Sequence, residues 1–218
     1  MGILNDIARR ECTDKSSEFH NYCRKYEKYL PFARDEKIKL LEIGVFRGES
    51  LRMWKDYFFN SCIIGIDIDR KCMQYKEERI MIEIGSQRDG WFLASTIQKY
   101  KQFDLVIDDG SHVNSDMLFS FNKLFPYVVH GGVYVIEDCC TSYWKKFGGS
   151  YKGKDTSIEF CKDLVDDVNF RGLYSRHGSK YARKEEALIP LSLEVQPECR
   201  VDIESINFMN GLILITKR

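Results

Sequence analysis

The sequence predicts an α/β fold: a doubly wound, mostly parallel seven-stranded sheet, with an N-terminal helix before it and a C-terminal antiparallel hairpin after it. Three observations carry this. Short apolar runs ending in an acidic residue or glycine recur five times, each leading toward a stretch of helical spacing, the pattern of buried parallel strands. The last dozen residues hold two apolar runs around Asn210-Gly211, a two-residue hairpin turn. A chain of 218 residues suits one such domain and would cramp two, so residues 1–218 are expected to form a single domain.

In chain order, residues 1–35 are polar and aromatic, with Phe19, Tyr22, Cys23, Tyr26, Tyr29 and Leu30 at helical spacing and Pro31 closing the segment. One N-terminal helix is expected there. The strand runs follow at 39–44, 62–67, 80–85, 103–108 and 132–137, with a helix through 50–54 after the first. Residues 144–200 form a Gly/Lys-rich loop, a helix across 157–170 and a charged stretch at 176–186, together a lid or insertion. The hairpin occupies 205–216.

Composition narrows the partners. With 33 basic and 33 acidic residues the chain has no net charge, which argues against nucleic acid or an anionic membrane as partner. No run approaches the roughly 18–20 apolar residues of a membrane span, and residues 1–15 are too polar for a signal peptide, so a cytoplasmic location is expected. The eight cysteines show neither a CxxC pair nor zinc-ligand spacing and read as reduced thiols.

Chemistry gathers where the strands end. Glu42, Gly44 and Gly48 form an acidic residue followed by Gly-x-x-x-Gly, which lacks the G-x-G-x-x-G of a pyrophosphate site. The carboxylate there would repel a diphosphate and suit a ligand carrying an ammonium group, as S-adenosylmethionine does. Asp67 ends the second strand where a carboxylate can accept from ribose hydroxyls, although a helix cap would explain it equally. Gly85, Ser86, Gln87 and Asp89 would flank an adenine, and Asp108 is grouped with these cofactor residues.

Asp108-Asp109-Gly110-Ser111-His112 and Glu137-Asp138 end neighbouring strands, which sets their carboxylates side by side. Such a cluster repels itself unless a divalent cation neutralises it, and hard oxygen donors favour magnesium or a calcium-like ion over zinc. His112, three residues past Asp109, is placed to act as a general base toward a hydroxyl.

These blocks, with Thr141-Ser142-Tyr143-Trp144 after Asp138, resemble the macrolide and rhamnosyl sugar O-methyltransferases of antibiotic biosynthesis, with the cephalosporin-hydroxylase-like proteins as a related branch. Thr13-Asp14-Lys15, His20, Tyr22 and Tyr26 resemble the segment that precedes the catalytic domain in that family. The likeness runs from about Thr13 to Lys217 and is weakest between Lys145 and Val201; Cys139-Cys140 departs from it.

The resemblance implies a Rossmann-like methyltransferase fold, S-adenosylmethionine and Mg2+ as cofactors, a sugar-containing small-molecule acceptor and a homo-oligomer. By position, Asp109, Glu137 and Asp138 match the family's magnesium ligands and His112 its base. A catechol or other small diol would satisfy the same chemistry as acceptor. A non-catalytic module that binds S-adenosylmethionine is the alternative from another class.

Overall fold

A computed structural model describes residues 2–169 and 202–218. Seven strands form one sheet: β1 Lys39–Ile43, β2 Cys62–Asp67, β3 Ile80–Ile84, β4 Phe103–Asp108, β5 Val128–Ile136, β6 Ile203–Met209 and β7 Leu212–Lys217. Their order across the sheet is β3-β2-β1-β4-β5-β7-β6. The pairings from β3 to β5 are parallel, and β7 joins β5 and β6 antiparallel. This is the Rossmann-like methyltransferase arrangement, and its strand order turns back between β1 and β4. An open sheet of this kind binds ligands in the crevice at such a switch point, outside the carboxyl ends of the strands.

Helices α1 Ile3–Glu11, α2 Cys23–Tyr29 and α3 Glu49–Tyr57 cover one face, while α4 Gly90–Tyr100, α5 Asn114–Leu124 and α6 Ser157–Asn169 cover the other. Strand side chains alternate between these layers as the two-residue period requires. Leu40, Ile63, Leu105, Ile107, Val133 and Val135 pack toward α1–α3, whereas Leu41, Ile64, Val106, Tyr134 and Ile136 pack toward α4–α6. Trp54 of α3 is fully buried with Tyr26 edge-on to it at 5.0 Å. Each large apolar side chain so buried contributes roughly 1.5–3 kcal/mol.

The N-terminal segment is two helices rather than the one expected. Cys12 turns left-handed at φ 62 and returns its N–H to the carbonyls of Ala8 and Arg9, ending α1. Thr13, Asp14, Ser16 and Ser17 follow, types whose short polar side chains favour turns over a continuing helix. The break leaves residues 12–22 as a turn-rich strap at the carboxyl ends of β1, β4 and β5.

The Asn210-Gly211 hairpin forms as expected, and Gly211 is needed twice over. Its φ is +80, and a Cβ there would stand 2.4 Å from the Tyr22 hydroxyl oxygen. In the expected lid region, the described part is a short 3-10 turn at Lys145–Phe147 and α6, which packs on α5 and β6. The charged stretch 176–186 lies outside the described residues. Among the described residues, no helix is long and apolar enough to cross a membrane.

Candidate active site

Two cavities open at the carboxyl ends of the strands. One, of about 520 Å³, is walled by the strap at Cys12, Thr13, Asp14 and Lys15, by the β1–α3 turn from Gly44 to Arg47, and by Asp67, Asp109, His112 and Asp138. The second, of about 330 Å³, lies against Ile66, Ile68, Gly85, Ser86, Gln87 and Ser111. Gly44, Asp67 and Gly110 wall both. The β1 and β4 turns approach closely at this shared wall. Gly44 has φ +98, and a Cβ on it would lie 2.2 Å from the Asp109 carbonyl oxygen.

Local hydrogen bonds shape the cofactor-side residues. The Asp67 carboxylate accepts from the backbone N–H groups of Val45 at 2.9 Å, Phe46 at 3.1 Å and Asp69 at 2.8 Å. Partial burial works to raise its pKa, but these donors outweigh it and hold the carboxyl below the usual range. Gln87 is a strut: its amide oxygen accepts from Ser111 N–H at 2.8 Å, and its amide nitrogen donates to Asp108 at 3.1 Å and Ser120 at 3.2 Å. Ser86 Oγ accepts from Arg88 N–H within its own turn.

Three residues expected to meet the cofactor, Asp89, Asp108 and Glu42, line neither cavity. Asp89 caps α4, accepting from Trp91 and Phe92 N–H, and lines neither cavity. Asp108 is buried beneath α5, where it accepts from Gln87, Ser120 and Tyr134. Burial pushes Asp108 up to about 6 against the pull of those donors. Strand parity explains its position, because Asp108 follows Val106 toward the α4–α6 layer.

Glu42, Asp109 and Glu137 have the opposite parity and point under the strap. There the buried ammonium of Lys15, 0% exposed, meets all three: Asp109 Oδ2 at 2.5 Å, Glu137 Oε2 at 2.8 Å and Glu42 Oε1 at 3.4 Å. Tyr26 donates to the other Glu137 oxygen, and Tyr22 donates to Asp138 Oδ1 at 2.6 Å. Burial alone would lower the Lys15 pKa, but Asp109, Glu137 and Glu42 reverse this and keep it firmly charged. Burial pushes Glu42 up to about 7, with Lys15 opposing and Asp109 adding to it. Glu137 also stands well above the carboxylate range, for burial first. Glu42 lines neither cavity, and among the described residues its carboxylate is met by Lys15, at 3.4 Å, and Ser50.

At the cavity wall, oxygen or nitrogen atoms of Asp109, His112 and Asp138 all lie within 4.8 Å of one another. A second such group is Glu42, Asp109 and Glu137, so Asp109 belongs to both. The expected trio of Asp109, Glu137 and Asp138 is thus divided, Glu137 falling on the Lys15 side. His112 and Asp138 both adopt left-handed backbone, at φ 57 and 50, which is uncommon for residues other than glycine. His112 Nε2 is 4.0 Å from Asp138 Oδ2, and its buried Nδ1 has no hydrogen-bond partner among the described residues.

Lys15, Tyr22 and Tyr26 reach the acids of the candidate site, although sequence reading assigned them no role. Their signal was the Thr13-to-Tyr26 segment, whose aromatic spacing reads as packing until the partners 111 to 122 residues away are known.

A family described as a methyltransferase domain matches residues 41–139. That span holds every expected site residue and stops short of Lys15, Tyr22 and Tyr26. The chain is 41% identical over 180 residues to demethylmacrocin O-methyltransferase of Streptomyces fradiae, covering 78% of this chain and 45% of that protein. It is 37% identical over 183 residues to 8-demethyl-8-alpha-L-rhamnosyl tetracenomycin-C 2'-O-methyltransferase of Streptomyces olivaceus, covering 80% and 48%. Over most of its own length the chain is similar to these sugar O-methyltransferases. By structure it is similar to the MycE methyltransferase from the mycinamycin biosynthetic pathway, solved in complex with Mg and SAH. The TM-score is 0.84 at 32% identity, over 99% of this chain and 54% of that one. The chain spans about half the length of the relatives it matches.

Proposed function

We propose that the chain is a magnesium-dependent methyltransferase that moves a methyl group from S-adenosylmethionine to a hydroxyl of a deoxyhexose or rhamnose-type sugar. The observation that carries this is the convergence of Asp109, His112 and Asp138 on one wall of a cavity whose other wall is the Gly44–Asp67 turn pair. The donors fit the group: the neighbouring carboxylates of Asp109 and Asp138 suit a hard divalent cation, and the His112 imidazole beside them is left to act on a hydroxyl. The glycine-lined approach of the β1 and β4 turns likewise suits a nucleoside ligand laid across the strand ends.

When bound, S-adenosylmethionine supplies an electrophilic methyl group, and magnesium makes a neighbouring hydroxyl more acidic. Asp109 and Asp138 would hold the metal, magnesium being commonly held by one or two carboxylates with water completing its shell. Glu137, turned toward Lys15 and Tyr26, supports Asp109 from the inner side. His112 takes the hydroxyl proton on Nε2, with Asp138 4.0 Å away to stabilise the imidazolium. Asp67 accepts from the ribose hydroxyls while its backbone donors keep it ionised. Gln87 fixes the β3 and β4 turns around the adenine, with Ile66 and Ile68 as its apolar wall. The exposed Phe19 and Tyr29 of the N-terminal segment would serve self-association.

The test is transfer of a labelled methyl group to a panel of rhamnosylated and other deoxyhexose-bearing acceptors beside catechols. Labelled sugar product is expected. Product from catechols alone would move the acceptor class to small diols. Tight binding of S-adenosylhomocysteine with no product from any diol would make the chain a binding module.

A further inference from the structure

His112 and Asp138 face each other from turns that have left the sheet. At this end the β4–β5 ladder reaches as far as a bond from Glu137 N–H to the Asp108 carbonyl, at 3.0 Å. Beyond it both chains turn left-handed and diverge, one into α5 and the other into the 3-10 turn Cys139–Tyr143. The side chain of Asn114 ties them together. It belongs to the first turn of α5, two residues past His112, and is 1% exposed. Its amide nitrogen donates to the carbonyls of Thr141 at 3.4 Å and Phe147 at 2.9 Å. Its amide oxygen accepts from Ser142 Oγ at 3.0 Å and from Ser157 N–H, at the start of α6, at 2.8 Å. Ser142 and Ser157 are buried as well, with their hydroxyls 2.8 Å apart. Both ends of the amide are used, and a buried polar network satisfied in this way fixes one arrangement of the elements it joins. One of its partners, Phe147, stands edge-on to the His112 imidazole with 6.3 Å between ring centres.

We propose that Asn114 is a positioning residue for methyl transfer: it ties the His112 turn to the 3-10 turn that follows Asp138 and holds Phe147 against the imidazole. The ring is thereby kept 4.0 Å from Asp138, facing the cavity. This rests on the reading of His112 as the base. A base must reach the hydroxyl at hydrogen-bond distance, and a displacement of about 1 Å costs such a step on the order of a hundredfold. An alanine at position 114 would leave the Ser157 N–H and the Thr141 and Phe147 carbonyls without these partners. The two turns are then free to part while the sheet beneath them stays whole.

Transfer of a labelled methyl group to a rhamnosylated acceptor, measured in single and double variants of the full chain, tests this. Asn114→Ala should lower kcat by about a hundredfold, with acceptor KM and the calorimetric Kd for S-adenosylhomocysteine each within about twofold of wild type. Action through His112 also predicts non-additivity. Placed on His112→Ala, the Asn114→Ala change should slow transfer by no more than about twofold further. In nuclear magnetic resonance spectra of chain labelled in its histidine rings, the His112 signal, recognised by its loss in His112→Ala, should shift in Asn114→Ala. Those of His20 and His130 should stay in place. Unchanged kcat in Asn114→Ala, an unmoved His112 signal, or a further loss of about a hundredfold on the His112→Ala background overturns the inference. If Asn114→Ala does not fold, Ser142→Ala decides, since it removes one donor to the Asn114 amide. A roughly tenfold fall in kcat that disappears on the His112→Ala background supports the inference, and wild-type kcat overturns it. Near-native kcat in His112→Ala overturns the base reading, and this inference with it.

Discussion

The two halves of the crevice are built by different means. On the cofactor side, at the ends of β1, β2 and β3, the polar side chains are satisfied by backbone close to them: Asp67 by Asp69 and the β1 turn, Asp89 by the first turn of α4, Ser86 by Arg88. On the acid side, at the ends of β4 and β5, Asp109, Glu137 and Asp138 are satisfied by side chains of the strap, 94 to 122 residues away. The first half is held by local turns and the second by long-range charge. Substitutions on the acid side should therefore disturb metal and chemistry while leaving the cofactor bound, and the reverse should hold across the crevice.

The largest expected effect is that of Asp109→Asn, because Asp109 belongs to both cation groups and meets Lys15. Methyl transfer should fall by more than the roughly 10- to 100-fold that loss of a supporting partner costs a metal site. Its Kd for S-adenosylhomocysteine by calorimetry should stay native. His112→Ala comes next, with kcat lowered by about 100- to 10,000-fold near neutral pH and acceptor KM nearly unchanged. Partial recovery at higher pH is expected as hydroxide takes over from the imidazole. Near-native kcat across pH would reduce His112 to a packing role beside Phe147.

Tyr22→Phe removes the donor on Asp138 Oδ1 and should weaken manganese binding by about tenfold, with cofactor affinity unchanged. The smallest effect belongs to the cofactor side. Asp67→Asn should weaken S-adenosylhomocysteine by about tenfold, the worth of one charge-assisted hydrogen bond, and leave the manganese count at one. A loss of manganese in that variant would break the division between the halves. The Asp67 carboxyl is held below its ordinary range by backbone donors that outweigh burial. Its contribution to stability is therefore present above the unfolded carboxylate range and lost as pH falls through the lowered value.

The same contrast explains what the sequence made legible. Apolar runs ending in Asp or Gly identified β1 to β5, and the Asn210-Gly211 pair identified the hairpin, because period and turn chemistry are local signals. The strap was misread as helix because Phe19 and Tyr22, which lie in it, keep helical spacing with Tyr26 and Tyr29 of α2, although Cys12 and the Thr-Asp-Lys-Ser run end α1 before them. Strand parity was readable but went unused. Glu42, Asp109 and Glu137 share one face and Asp108 lies on the other, which separates a buried strut from the acids of the crevice. The partners of Lys15 could not be read from the Thr13-to-Tyr26 segment, since only folding brings it to carboxylates on three different strand ends.

Chelation tests the central claim most directly, that one divalent cation at the Asp109–Asp138 wall serves methyl transfer to a sugar hydroxyl while the cofactor is held independently. With a rhamnosylated acceptor, transfer from S-adenosylmethionine should vanish in excess chelator and return with magnesium. Calorimetric binding of S-adenosylhomocysteine should be the same in both conditions. Full turnover in chelator, or loss of cofactor binding together with the metal, would contradict the account.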